Sequence, residues 1–324
     1  MIWRKILIIN LFLLILVFAV TEVLNYNTYK SKYMDMLVLQ AQNNDDPQKA
    51  LKESLPKYKL PKEYDFKKYR DKDKFIIKGS SDKRPIITIG CSYTYGILLE
   101  PYETLAGQLN RVTDRTVYNL GISATGPQTV YEQLKDPDIK KEIPDAEYII
   151  YTFLHNHIMR QFMYILSNSS IINPVYEVDE NNNLVKRKPF FPKILYMFFT
   201  VRNYLEQKMN TDEQNELGKG LPLFLRTMKE CVKTAKEKYP DSKFVLLEFP
   251  QGPMCRPDYQ EKTQELTEEN IKNLEKIGII YINAEELAGH KFRDTVKYRI
   301  ADKDHPNSAV WEELAPLLKS RLNL

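Results

Sequence analysis

Short apolar runs and helix-spaced apolar positions alternate along residues 85–324. Runs rich in β-branched and aromatic residues, each followed by a turn or a polar segment, predict buried strands. They lie at residues 85–90, 116–121, 147–153, 243–249 and 277–283. Apolar positions with helical spacing lie at residues 103–112, 127–136, 221–238, 266–276 and 307–322. Strands that alternate with helices predict an α/β domain whose parallel sheet is covered by helices on both faces.

One stretch interrupts this alternation. Between residues 160 and 218 the chain is first rich in Asn and Ser and then rich in aromatic residues. A connection of this length without function is uncommon in a compact domain. Two interpretations remain open: a lid or interfacial helix that carries part of a substrate site, or additional core that covers the sheet.

The amino-terminal 24 residues are far more apolar than the remainder. Arg4 and Lys5 precede an apolar run that ends near Leu24, about the length of helix that crosses a bilayer. The small residues of a signal-peptidase site are poorly supplied after this run, which favours an anchor over a cleaved signal. We therefore predict a single-pass membrane protein with a transmembrane helix at residues 1–24, its amino terminus inside and its body extracytoplasmic.

Composition and charge narrow the class of protein. The chain has 324 residues, of which 43% are hydrophobic and 28% charged, as in ordinary globular proteins and unlike disordered ones. The formal net charge is +4, but residues 49–84 alone carry +7, so the remainder is slightly acidic. Residues 25–84 are interpreted as a charged, solvated linker or as a segment that lies on an anionic surface. Without a nucleic-acid recognition motif, nucleic acid is not an expected partner.

Candidate catalytic residues follow the predicted strands. Ser92 follows the first strand, Gly121 ends the second, and Asn156 follows the third. Asp302 and His305 precede the last helix. Because sites in parallel α/β sheets lie beyond the carboxyl ends of the strands, we expect these residues to converge at one edge.

These blocks resemble the SGNH (GDSL-type) hydrolase superfamily over residues 85–324. The resemblance is carried by Gly90-Cys91-Ser92, Asn119-Leu120-Gly121, an Asn after the third strand, and Asp302-x-x-His305 followed by Pro306. It implies a flavodoxin-like three-layer α/β/α sandwich and a serine-dependent esterase or acyltransferase without a cofactor. The predicted anchor and the long insertion are similar to those of membrane-bound members that act on cell-surface glycans, including acetyltransferases and esterases.

The resemblance also implies a role for each residue. Ser92 would be the nucleophile, His305 the base that takes its proton, and Asp302 the group that orients the imidazole. A serine hydroxyl is a weak nucleophile until such a base accepts its proton, and histidine has a suitable pKa. The backbone N–H groups of Ser92 and Gly121 and the side-chain amide of Asn156 would form the oxyanion hole.

The sequence differs from the usual SGNH pattern at several positions. Cys91 stands where an Asp is usual, and Leu154 and His157 stand where a Gly and an Asp are expected. His155 takes the place of the oxyanion Asn if the register of the third block is shifted. Thr94 prevents a Gly-x-Ser-x-Gly elbow, which argues against the α/β-hydrolase family.

Alternative assignments accompany the leading one. Asp304 competes with Asp302 as the partner of His305, and Cys91 is either a packing residue or a nucleophile. His155 and His157 have the spacing of a metal-ligand pair, but no third ligand has convincing spacing and no metal site is predicted. The cysteines at 91, 231 and 255 form no zinc pattern.

The leading hypothesis is an enzyme that acts on O-acyl groups of an extracellular glycan or another cell-envelope ester. Hydrolysis and transfer share the acyl-enzyme step and are not separated by the sequence. The alternative is a non-catalytic, membrane-anchored binding or scaffold protein on an SGNH fold.

Overall fold

A computed structural model describes residues 15–25, 27, 62–63, 75–162, 171–188, 198–250, 266–292, 295–300 and 304–324. The strands, in chain order, are β1 Lys62–Glu63, β2 Ile76–Ile77, β3 Ile86–Gly90, β4 Val117–Gly121, β5 Tyr148–Phe153, β6 Ile171–Ile172, β7 Tyr176–Val178, β8 Leu184–Lys186, β9 Lys243–Glu248 and β10 Ile279–Asn283. The helices are α1 at 15–25, α2 Ser92–Tyr95, α3 Leu105–Thr113, α4 Pro127–Lys135, α5 Ile139–Glu142, α6 Asn156–Arg160, α7 Phe199–Lys238, α8 Glu268–Lys276, α9 Ala284–Ala288, α10 Thr295–Tyr298 and α11 Ser308–Leu322, and Pro101–Glu103 form a 3₁₀ turn.

The main sheet has six strands in the order β10-β9-β5-β3-β4-β2. All neighbouring pairs are parallel except β2 with β4, which is antiparallel. Every residue of β3 and β5 is buried, in keeping with their nearly continuous β-branched and aromatic sequences. Strands with this pattern need helices on both faces, because neither face can be left to water.

Helices cover both faces of this sheet. One buried cluster joins one face of the sheet to α4, α7 and α8, through residues such as Val130, Phe224 and Leu274. A second cluster joins the other face to α3 and α11, through residues such as Leu109 and Trp311. The predicted mixed α/β class with a mainly parallel sheet is therefore confirmed.

The predicted strands agree with the observed ones to within two residues at each end. One strand of the sheet was not predicted. β2 lies in the basic segment before residue 85 and forms the edge of the sheet, where it pairs with β4. Phe75, just before β2, is buried in the core and its ring lies 5.7 Å from that of Tyr118. The sheet therefore begins about ten residues earlier than the alternating pattern indicates.

The prediction of a membrane-crossing anchor is wrong for the described residues. Among them, no helix is long and apolar enough to span a bilayer. Instead, α1 packs on the beginning of α7: Phe18 and Phe198 lie 5.3 Å apart, and the Glu22 carboxylate accepts the Thr200 N–H at 2.7 Å. The predicted topology, with the amino terminus inside and the body extracytoplasmic, is therefore overturned, and residues 1–14 lie outside the described ones.

The predicted insertion at 160–218 contains secondary structure of its own. β7 and β8 form an antiparallel hairpin that contacts α4, where the Tyr176 hydroxyl donates to Glu132 and Lys186 lies 3.0 Å from the same carboxylate. Tyr176 is only 3% exposed, so this part of the insertion adds to the core. α7 begins at Phe199, before the predicted start at residue 221. The aromatic stretch at 189–197 lies outside the described residues.

Candidate active site

Ser92 lies at the carboxyl end of β3, as the first residue of the short helix α2. Two glycines allow this arrangement. Gly90 has a φ of 150°, and a Cβ there would come within 2.4 Å of Thr94 Oγ1. A Cβ on Gly121 would come within 2.1 Å of the backbone nitrogen of Tyr95. The ends of β3 and β4 therefore hold α2, and with it Ser92, in close contact with the sheet edge.

His305 contacts Ser92 directly. Its Nε2 lies 2.7 Å from Ser92 Oγ, although 213 positions separate the two residues. Two backbone hydrogen bonds hold the His305 segment: the Ile300 N–H donates to the His305 carbonyl at 3.0 Å, and the Asn307 N–H donates to the Tyr298 carbonyl at 3.1 Å. The contact has the geometry that transfer of the serine proton to an imidazole requires.

The structure describes only one of the two acidic residues that are candidate partners of His305. Asp302 lies outside the described residues. Asp304 is described, and its Oδ1 and its backbone carbonyl each lie 3.0 Å from the Tyr93 hydroxyl. This contact joins the residue after Ser92 to the residue before His305.

Arg299 also holds the segment that contains His305. It is 4% exposed and donates to the carbonyls of Asp304 at 2.8 Å, Phe292 at 3.2 Å and Pro250 at 3.3 Å. Its guanidinium also lies 5.3 Å from the centre of the Phe249 ring. Buried hydrogen bonds of this kind fix geometry, because breaking them leaves polar groups unpaired away from water. Arg299 therefore ties the His305 segment to the loops that follow β9 and α9.

The predicted oxyanion donors lie at the same edge of the sheet. Strand register places Gly90 opposite both Gly121 and Thr152, so the segments after β3, β4 and β5 leave the sheet side by side. Asn156 begins α6 and is 5% exposed. The Gly121 N–H donates to the side-chain oxygen of Asn119 at 3.0 Å, so this donor is engaged within its own strand, β4.

The loop after β4 is strained. Ala124 has a φ of 62°, a conformation that costs a residue with a Cβ about 1–3 kcal/mol and is concentrated at functional sites. Neighbouring groups hold the loop in place: the Asn173 amide donates to the Ala124 carbonyl at 3.0 Å, and Arg160 donates to the Thr125 carbonyl at 3.2 Å. No sequence signal marked Ala124, because alanine is not a residue typical of this conformation.

The alternative metal pair is not supported. His157 is fully buried, its Nδ1 lies 2.7 Å from the Tyr151 hydroxyl, and burial lowers the pKa of its imidazole well below the usual value. His155 instead contacts Glu248, with Nε2 and Oε1 3.3 Å apart. Within the described parts of the chain, no group of three or more His, Cys, Asp or Glu side chains is placed to hold a metal ion.

Cys91 is fully buried and unpaired. It belongs to the apolar cluster that also contains Leu105 and Trp311. A thiol without access to solvent is not placed to attack a substrate, so its environment agrees with the packing interpretation.

Tyr93 and Arg299 were missed by the sequence analysis. Tyr93 is an ordinary aromatic core residue by its sequence, and Arg299 lies in a polar segment without a motif. Their partners are revealed only by the fold, since 211 positions separate Tyr93 from Asp304.

No protein-family model and no curated protein matches the sequence. Solved structures resemble it at low identity. A protein assigned to the G-D-S-L lipolytic family, from Desulfitobacterium hafniense, is 12% identical with a TM-score of 0.43, over 74% of this chain and 99% of that one. The esterase EstA from Pseudoalteromonas sp. is 13% identical with a TM-score of 0.40, over 75% and 100%.

A variant of Axe2, an acetylxylan esterase from Geobacillus stearothermophilus, is 13% identical with a TM-score of 0.39, over 76% of this chain and 96% of that one. With TM-scores of 0.39 to 0.43, a functional assignment depends on the contact between Ser92 and His305 and not on these likenesses. These three solved structures are a lipolytic protein of the G-D-S-L family and two esterases.

Proposed function

We propose that this protein is a serine-dependent ester hydrolase or acyltransferase of the SGNH type. The observation that carries the proposal is the 2.7 Å contact between Ser92 Oγ and His305 Nε2 at the carboxyl edge of a parallel sheet. The order of the parallel strands also supports a flavodoxin-like fold. Numbered along the chain, β4-β3-β5-β9-β10 read 2-1-3-4-5, the order typical of that fold.

The first chemical step would use the pair as nucleophile and base. His305 Nε2 takes the proton of the Ser92 hydroxyl while Oγ forms a bond to the acyl carbon of the ester. Nε2 must then hold a lone pair and Nδ1 a proton, which an acidic residue such as Asp302 would orient. The Tyr93 and Arg299 contacts to Asp304 keep the imidazole at the required distance.

The oxyanion that develops on the acyl oxygen needs hydrogen-bond donors. The Ser92 N–H lies at the start of α2, and Asn156 begins α6, which follows the neighbouring strand. The Gly121 N–H would contribute only by exchanging or sharing its bond to Asn119. Loss of one such donor lowers kcat by about 100- to 1000-fold in known cases, so the Asn156 amide is a testable part of the proposal.

The acyl-enzyme that results has two fates. His305 gives its proton to the departing alcohol and then removes a proton from the incoming nucleophile, which is water in hydrolysis and a hydroxyl group in transfer. We propose that the substrate is an O-acyl ester of a hydroxylated compound, with an O-acylated glycan as the leading candidate. No metal or organic cofactor is required for this sequence of steps.

The proposal is tested by ester cleavage in matched serine variants. Wild-type protein is expected to release acetate from p-nitrophenyl acetate and from an acetylated sugar, and Ser92→Ala is expected to lower kcat by about 10⁴-fold or more. Ser123→Ala, in the loop after β4, is the control and is expected to keep wild-type activity. Wild-type-like turnover by Ser92→Ala contradicts the assignment.

The non-catalytic alternative makes the opposite forecast. A binding or scaffold protein on this fold would show no Ser92-dependent turnover of either ester and would bind its ligand equally well as Ser92→Ala and His305→Ala variants. Addition of an alcohol acceptor to the same assay distinguishes hydrolysis from transfer, because only transfer yields the new ester.

A further inference from the structure

A second pair of an imidazole and a carboxylate lies at the same edge of the sheet as Ser92. His155 follows β5, and Glu248 is the last residue of β9, directly opposite Phe153 in the strand register. His155 Nε2 and Glu248 Oε1 are 3.3 Å apart, slightly beyond the usual N–H···O range of about 2.7–3.2 Å. The mechanism proposed above leaves this pair without a role.

Glu248 is held from several sides. Tyr281 donates its hydroxyl to Oε2 at 2.7 Å, and Asn283 donates its amide to Oε1 at 3.1 Å. Burial by itself raises the pKa of Glu248, but the adjacent His155 imidazole and the Tyr281 hydroxyl outweigh burial and lower the pKa overall. Both carboxylate oxygens thus have hydrogen-bond donors within the protein, and Oε1 also faces the His155 imidazole.

This orientation leaves one imidazole nitrogen for another partner. Nε2 is buried and lies nearest the carboxylate, which leaves Nδ1, the nitrogen on the other side of Cε1, for a different partner. The His155 side chain is 22% exposed, whereas His157, two positions further on, is fully buried. Nδ1 accepts a hydrogen bond when the ring is neutral and donates one when the ring is charged. A hydroxyl group satisfies either state, because it both donates and accepts, whereas an alkyl group satisfies neither.

The pair is close to the reacting serine. β3 and β5 are neighbours, and Gly90 lies opposite Thr152. Neighbouring strands are about 5 Å apart, so His155 and Ser92 have Cα atoms on the order of 10 Å from each other. A single sugar ring esterified at one position spans such a gap between its acyl group and a distant hydroxyl.

We propose that His155, oriented by Glu248, binds a hydroxyl group of the alcohol part of the ester whose acyl group reacts at Ser92. His155 is then a specificity-determining residue, Glu248 is its positioning residue, and the substrate class is an ester of a polyol such as a sugar. The inference rests on the proposed function and adds to it the residue that recognises the alcohol part of the ester.

The test compares two esters that carry the same acyl group on rings of similar size. Glucose monoacetate offers hydroxyl groups, and cyclohexyl acetate does not. In wild-type protein, kcat/KM is expected to favour the sugar ester. His155→Ala is expected to raise KM for glucose monoacetate by about 5- to 10-fold, the effect of one hydrogen bond, with kcat and both constants for cyclohexyl acetate unchanged.

Two further variants separate recognition from folding. Glu248→Gln keeps the size of the side chain and is expected to raise KM for the sugar ester in the same direction but by less. His290→Gln breaks a different contact between an imidazole and a carboxylate, with Glu313, and is expected to leave both KM values unchanged. If His155→Ala unfolds, the decision rests on Glu248→Gln, with thermal unfolding followed for each variant.

The outcomes are distinguishable. Equal losses for both esters, or no loss for either, would overturn the inference while leaving the serine mechanism intact. Binding of glucose monoacetate to Ser92→Ala, measured by calorimetry, gives a readout that does not depend on catalysis. If wild-type protein cleaves neither ester but His155→Ala weakens that binding, the proposed function fails and the hydroxyl site stands.

Discussion

Tyr93→Phe is the most selective test of how the fold holds His305. The change removes only the hydroxyl that lies 3.0 Å from both Oδ1 and the backbone carbonyl of Asp304. The ring keeps its contacts, because its centre lies 5.1 Å from that of His305 and 5.8 Å from that of Phe249. Any effect on activity therefore reports on the hydrogen bond.

The expected decrease in kcat follows from the number of hydrogen bonds that Tyr93→Phe removes. One hydroxyl proton is shared between two acceptors, so a single hydrogen bond is lost, of about 1–2 kcal/mol when one acceptor is a carboxylate. Arg299 still donates to the Asp304 carbonyl at 2.8 Å, so the segment is loosened and not released. If all of that free energy is lost from the positioning of His305 in the transition state, kcat decreases by about 5- to 30-fold. KM stays near its wild-type value, because the Tyr93 hydroxyl contacts Asp304 and not the nucleophile.

The assay is the steady-state cleavage of p-nitrophenyl acetate, with thermal unfolding measured on the same samples. Tyr102→Phe is the matched control, since Tyr102 is 66% exposed and lies in the 3₁₀ turn. It is expected to leave kcat unchanged. A kcat for Tyr93→Phe within twofold of wild type would refute the role of Tyr93 as a positioning residue.

Three further results are expected. Gly121→Ala should lower the free energy of unfolding by about 2–3 kcal/mol and reduce kcat, because its Cβ would lie 2.1 Å from the Tyr95 nitrogen. Gly289→Ala has open space around its Cβ, so it should lower the free energy of unfolding by only about 1 kcal/mol and leave kcat unchanged. Similar losses in both variants would contradict the close approach at Gly121. The Glu313 hydrogen bond raises the pKa of His290 above its usual 6.5. The stabilisation that His290→Gln removes should therefore be complete below pH 6.5 and decline as the pH rises through the pKa of the folded state, which urea unfolding at several pH values would measure. A difference in stability between wild type and variant that grows with pH would contradict this prediction. Excess EDTA should leave ester cleavage unchanged, because the described site consists of Ser92 and His305, and loss of activity that zinc restores would instead support the alternative at His155 and His157.

The sheet was largely predictable from the sequence because its strands are apolar on both faces. Runs such as residues 85–90 and 243–249 have no polar alternation and end at turns, so their bounds are clear. β2 escaped prediction because a two-residue edge strand within a basic segment has no periodic pattern. The start of α7 was misplaced because Pro222 is typical of the first turn of a helix, yet here it lies inside a 40-residue helix.

Only part of the site was predictable, because a sequence pattern marks some of its residues and not others. Ser92 and His305 were identified because each follows or precedes an element with a strong pattern, and their order along the chain resembles a known family. The roles of Tyr93, Arg299 and Glu248 depend on the register and packing of elements distant in sequence. Glu248 lies opposite Phe153, for example, only because β5 and β9 pair in one particular register.

The central claim is that Ser92 is a nucleophile activated by His305. Mass spectrometry of the intact protein and its peptides after treatment with a fluorophosphonate tests it most directly, because the reagent reacts with activated serines. One covalent adduct is expected on the peptide that contains Ser92, absent in Ser92→Ala and strongly slowed in His305→Ala. Labelling at another residue, or labelling of Ser92 at an unchanged rate without His305, would contradict the account.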